Sequence, residues 1–91
     1  MAKKEQNLIG KRVRKLRMDA NLSQDAFVAR CQREGWDLSR GTFAKIEAGL
    51  RRVNDAEVAM VANVLMCSMD DLLGGFPKAA IKRCVRHGDV A

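Results

Sequence analysis

The sequence predicts an all-α fold, a compact five-helix domain with a short C-terminal tail, on three observations. Apolar residues recur at helical spacing along most of the chain. Ser or Asn stands where four of the helices would start, and in three of them an acidic or amide residue follows in the first turn. Only four of the 91 residues are aromatic and tyrosine is absent, so the core has to come from Val, Leu, Ile, Met and Ala. That composition suits helices packed on helices. No segment alternates as a half-buried strand would, and there is no repeat or low-complexity run.

The first helix is expected over residues 6–19, where Ile9, Val13, Leu16 and Ala20 form one stripe and Lys11, Arg12, Arg14 and Lys15 fill the rest. "ANLS" breaks it, with Asn21 as the stop. Ser23 is placed to cap the second helix, which carries Gln24 and Asp25 in its first turn and stops at Gly35. Trp36, Asp37 and Leu38 connect it to a third helix that Ser39 opens and Ala48-Gly49 ends, with Phe43 and Ile46 facing the core. Asn54 with Glu57 three residues later reads as a capping box, and Val58, Val61, Ala62 and Leu65 give the fourth helix its buried stripe. Ser68 with Asp71 repeats the signal for a short fifth helix ending "LLGG". Phe76-Pro77 marks a boundary, so the domain is assigned to residues 1–75. Residues 76–91 form a tail, partly helical or flexible, whose stripe of Ile81 and Val85 is thin.

Ninety-one residues suffice for one core. The net charge of +6 is uneven: residues 1–53 carry 13 Lys/Arg against 6 Asp/Glu, residues 54–73 none against 4, and residues 74–91 four against 1. A basic front half beside an acidic segment sets up an oriented field, whose commonest target is nucleic acid. Three cysteines, Cys31, Cys67 and Cys84, are odd in number and show no paired spacing, which fits a reducing cytoplasm. Cys31 and Cys67 read as small core residues. The single histidine, His87, leaves no metal set and no nucleophile–base pair, and there is no phosphate loop, so an enzyme is not expected. Neither a metal nor a cofactor is expected. "MAKKEQN" lacks the apolar stretch of a secretory signal, and the longest apolar run is far short of a membrane span. With one domain only, no small-molecule ligand is expected.

The second and third helices belong together. Ala29, small and inside the second, would let the two approach at a steep angle, and a capped third helix follows within a few residues. That is a helix-turn-helix, whose second member lies in the major groove. "LRMDANLSQDAFVARC", "LSRGTFAKIEAGLRRV" and "VANVLMCSMDDLL" resemble the Cro/lambda-repressor (XRE-like) type of helix-turn-helix domain over residues 8–73. The signals are the Ser23-Gln24 start, Ala29, the run from Ser39 through Thr42, Ile46 and Glu47 to Gly49, and the closing Ser68 to Leu73.

This resemblance implies a sequence-specific double-stranded DNA-binding transcription regulator, a repressor of a bacterium or phage, acting in the cytoplasm as a homodimer on an operator. It places Arg40, Gly41, Thr42 and Lys45 against base edges. It places Gln24, Ser39, Arg51 and Arg52 at the sugar-phosphate backbone, Gln24 alternatively locking against the third helix. It makes Arg17 and Glu47 a structural salt bridge. The dimer surface would come from the fourth and fifth helices, where Met60, Met66 and Met69 sit. Arg40 near a helix start suits guanine O6 and N7, a match worth about 1–3 kcal/mol of discrimination. Two departures stand out. The link from Ala29 to Ser39 is a helical turn longer than in the shortest members, read as an extension over Cys31 to Glu34 with Trp36 packed beneath. Gly41 replaces a side chain that reads a base in many relatives. Both departures favour the alternative, a protein-interaction adaptor or antitoxin-like module with weak or non-specific DNA binding. A third possibility is charge-driven nucleoid or RNA binding.

Overall fold

The computed structural model describes residues 5–88, which form six α-helices and no strand. They are α1 (Gly10–Asp19), α2 (Gln24–Arg33), α3 (Arg40–Glu47), α4 (Asp55–Leu65), α5 (Met69–Leu73) and α6 (Lys78–Gly88). Four of the starts are made by the residues that signal them. Ser23 accepts from the Ala26 N–H and Ser39 from the Thr42 N–H. Asn54 with Glu57 and Ser68 with Asp71 form reciprocal capping boxes, each satisfying amides that the helix itself leaves unpaired. Asn21 takes the left-handed conformation (φ 57°) that closes α1.

The core is Ile9, Val13, Phe27, Val28, Cys31, Leu38, Phe43, Ile46, Val58, Val61, Ala62, Val64 and Leu72, with Leu16, Trp36, Met60 and Leu65 half-buried against it. Phe27 of α2 stacks on Phe43 of α3 at 4.4 Å between ring centroids. Leu38, in the connection, is sealed beneath them, and the Gln32 side-chain amide donates to its carbonyl at 2.9 Å. The longer link is thus a last turn of α2 plus an anchored connection, with Trp36 packed against the core. Burial pushes the Cys31 thiol up to about 11, so it stays protonated in the core.

Three expectations are corrected. First, Ala29 is exposed, and α2 turns Phe27, Val28 and Cys31 inward instead. The core contact between α2 and α3 is the stack of Phe27 on Phe43, two positions before Ala29.

Second, α1 begins at Gly10 and not at residue 6. The preceding residues cross the end of α3. There the Gln6 N–H donates to the Gly49 carbonyl at 2.9 Å. The buried Asn7 amide donates to the carbonyls of Ile46 (3.0 Å) and Arg51 (2.8 Å), while its Oδ1 accepts from the Gly10 N–H at 2.8 Å. Asn7 therefore satisfies the open end of one helix and the start of another. Competition from those carbonyls keeps residues 6–9 out of α1.

Third, residues 78–88 form an eleven-residue helix, which makes six helices where five and a tail are expected. It turns Ala80 inward and leaves Ile81 and Val85 exposed. Arg12 holds its entry: the guanidinium lies 3.9 Å above the Phe76 ring and donates to the carbonyls of Leu72 and Gly74. Residues 1–4, the tail residues 89–91 and the side chain of His87 lie outside the described residues.

The loop after α3 is tied to α4 by a two-pronged ion pair. Arg51 Nη1 and Nη2 donate to the Glu57 carboxylate at 3.0 and 2.9 Å. This bond holds the Glu57 carboxyl below the usual carboxylate range. A lowered folded-state value stabilises the protein above the unfolded value of about 4.3 and is lost as pH falls through the folded one. The unfolding free energy from urea titration should therefore fall in acid. Glu57→Gln should be less stable by about 1 kcal/mol at neutral pH, with solvent screening at the one-third-exposed Arg51 allowed for. That gap should close as the pH falls below about 4.

Candidate nucleic-acid interface

Helix α3 is anchored on one side only. Phe43, Ile46 and Glu47 are buried, whereas Arg40, Gly41, Lys45 and Ala48 are exposed and Thr42 and Ala44 are half-buried. The anchor is chemical as well as apolar. Arg17 Nε and Nη2 donate to the two Glu47 carboxylate oxygens at 2.7 and 3.1 Å, and Nη1 donates to the Leu22 carbonyl at 2.7 Å. Gln24 Nε2 adds a bond to Glu47 Oε1 at 2.9 Å. One carboxylate at the end of α3 thus binds the last turn of α1 and the start of α2. Both ion-pair partners are almost fully buried, and the geometry is the side-on fork that guanidinium and carboxylate favour.

The sequence-predicted contacts fall into three groups. Arg40, Gly41, Thr42 and Lys45 lie together on the outer side and first turns of α3. The Ser39 hydroxyl accepts from the Thr42 N–H at 3.1 Å and donates to Thr42 Oγ1 at 2.9 Å, which fixes the rotamer of both side chains. A Cβ on Gly41 would meet nothing within 4 Å, so the fold does not require glycine there. Lys45 has no ion-pair partner among the described residues.

Gln24 is drawn inward to Glu47, leaving its role as a lock on α3 occupied in the free chain. Arg51, expected at the backbone, is held by Glu57 and by the Arg52 carbonyl at 2.8 Å. Arg52, its neighbour, is exposed and forms no ion pair among the described residues. The loop after α3 therefore offers one arginine outward and uses the other internally.

A shallow cleft of about 420 Å³ runs between α1, α2 and α3, lined by Arg14, Arg17, Gln24, Ala44, Glu47 and Ala48. Arg14 on its rim is exposed and adds a cation beside the outer side of α3. Its position three residues before Arg17 puts both on one side of α1, a signal legible once Arg17 is known to face α3. Arg14 is, with Lys15, the cation of the first helix that the sequence suggests for the DNA backbone. Asp25, which the sequence does not suggest, stands in the first turn of α2 with its Oδ1 3.6 Å from Arg40 Nε.

No group of three or more His, Cys, Asp or Glu is placed to hold a metal among the described residues, and no helix there is long and apolar enough to cross a membrane. The arrangement presents cations and small side chains on the exposed side of α3. No known family model matches the chain, and neither does any curated protein or solved structure.

Proposed function

We propose that this protein is a sequence-specific double-stranded DNA-binding regulator of transcription, a repressor, built on the Cro/lambda-repressor-type helix-turn-helix plan with α6 added. In this reading α3 enters the major groove. Arg40, Thr42 and Lys45 reach base edges, Gly41 lets the backbone approach, and Gln24, Ser39 and Arg52 lie along phosphates with Arg14. The observation that carries the reading is the one-sided anchoring of α3. Its inner side is fixed to α1 and α2 by the Arg17–Glu47–Gln24 bonds and the Phe27–Phe43 stack. Its outer side is left cationic and open. A helix held by two others with its outer side free is what base reading requires.

Members of this type bind two-fold symmetric sites as dimers. The exposed Met66, Met69 and Leu73 lie in the segment without Lys or Arg, suited to a homodimer surface held away from phosphates. The protein would act in the cytoplasm.

Selection of bound duplexes from a random pool at near-physiological salt tests the reading. A dyad containing guanines supports it, and binding without enrichment that vanishes as salt rises overturns it. Against the selected duplex, Arg40→Ala should weaken binding about 5- to 100-fold and relax preference at one base pair. Lys45→Ala should likewise weaken binding to the selected duplex and relax preference at its own base pair. Unchanged regulation in cells by both variants would favour the adaptor reading.

A further inference from the structure

We propose that Asp25 is a positioning residue for base reading: its carboxylate holds Arg40 by Nε and leaves both terminal nitrogens free to grip a guanine edge. This rests on the DNA-binding reading above and adds to it a residue on a different helix. Asp25 lies in the first turn of α2 and Arg40 opens α3, with Oδ1 and Nε 3.6 Å apart. Both side chains are exposed, at 73% and 66%.

The Asp25 carboxylate suits the positive end of α2, whose first turn it occupies. It also faces Arg40, and α3 has no acidic residue in its own first turn. An approaching phosphate is repelled by Asp25, so its benefit to DNA binding lies in what it does to Arg40. A guanidinium has five N–H donors in a fixed fork. A carboxylate beside Nε, here at ion-pair and not hydrogen-bond distance, leaves the Nη1 and Nη2 pair for guanine O6 and N7, the bidentate match that distinguishes guanine from other bases. The neighbouring Ser39 and Thr42 hydroxyls are bonded to one another and do not compete for Arg40. In water such an exposed pair is weak. Against DNA, with water displaced, the same charges interact more strongly and the arginine loses less freedom on docking. Asp25 therefore lowers affinity for any duplex while sharpening the choice of one.

The test is a double-mutant cycle on the full chain: wild type, Asp25→Asn, Arg40→Ala and the double variant. The probes are the duplex enriched from a random pool, the same duplex with 7-deazaguanine at the Arg40-dependent position, and a scrambled duplex. Asp25→Asn should bind the scrambled duplex more tightly. It should also lose about 3- to 10-fold of the discrimination between guanine and 7-deazaguanine. In the Arg40→Ala background the Asp25→Asn change should no longer alter that discrimination, and Asp25→Glu should restore part of it. Full discrimination by Asp25→Asn overturns the proposal while leaving DNA binding intact. So does an equal loss in the Arg40→Ala background. A pool without any enriched duplex overturns the DNA-binding reading itself, and this proposal with it.

Discussion

Gly10→Ala is expected to cost the domain a large share of its stability, about 3 kcal/mol or more. A Cβ at this position would lie 2.5 Å from the Ile46 carbonyl oxygen and 2.8 Å from that of Glu47. Both are backbone atoms at the end of α3, held in place by Asn7 and by the buried Glu47. Neither can yield as a flexible side chain would, so α1 must back away from α3. Retreat would lengthen the bonds from Arg17 to Glu47 and from Asn7 to Ile46. Overpacking of a fixed contact costs about 1–3 kcal/mol and sometimes more. Here several bonds go with it, so a loss of about 3 kcal/mol or more is expected against a total stability of about 5–15 kcal/mol.

Helix propensity alone predicts the opposite sign, since alanine is favoured over glycine by about 1 kcal/mol inside a helix. Gly41→Ala provides the control. Its Cβ enters open space, so it should stabilise α3 by up to about 1 kcal/mol. Urea unfolding of the two variants side by side decides the matter. A Gly10→Ala protein as stable as wild type would show that α1 and α3 are not in the contact described.

Glu47→Ala is the second large effect. It removes the acceptor for Arg17 Nε and Nη2 and for Gln24 Nε2 together. The guanidinium then stays buried with a single bond, to the Leu22 carbonyl. Breaking a buried pair from one side costs about 3–5 kcal/mol, because the remaining charge is left without compensation. Replacing both partners by apolar residues of similar size is commonly near neutral. Arg17→Met combined with Glu47→Leu should therefore recover most of what Glu47→Ala loses, measured by the same unfolding experiment. Recovery would identify the pair as a device that sets the seating of α3, with little net stabilisation of its own. If Glu47→Ala lowers stability by less than about 1 kcal/mol, the buried pair is not formed as described.

The same reasoning shows how α3 is seated. Few of its bonds to the body come from neighbours in sequence. Asn7, Gly10 and Arg17 approach from α1 or the segment before it, and Gln24 and Phe27 approach from α2. Each is far along the chain from the residue it touches. A helix held this way keeps its outer residues in register without using Arg40, Gly41 or Lys45 in the core, as the proposed DNA reading would need. Arg40, Gly41 and Lys45 are therefore open to substitution without loss of the fold.

What the sequence determined by itself is local. The starts of α2 to α5 are written as Ser23, Ser39, Asn54 with Glu57, and Ser68 with Asp71, because a cap bonds within three residues of itself. The inward side of α4 and the burial of Phe43 and Ile46 follow from helical periodicity, which also needs no distant partner. Tertiary structure decided the rest. Asn7 reads as the first turn of a helix until the carbonyls of Ile46 and Arg51 claim its amide. Gly10 reads as a weak helix residue until the backbone of α3 is set against it. Arg51 reads as a free cation until Glu57 on α4 folds back to it, and Ala29 reads as the close-packed residue of α2 until Phe27 meets Phe43 in its stead. The Arg17–Glu47 bond joins residues thirty positions apart, and only resemblance to a family could propose it from the sequence. Bonds of that span depend on where whole helices come to rest, and packing of the common core sets that position.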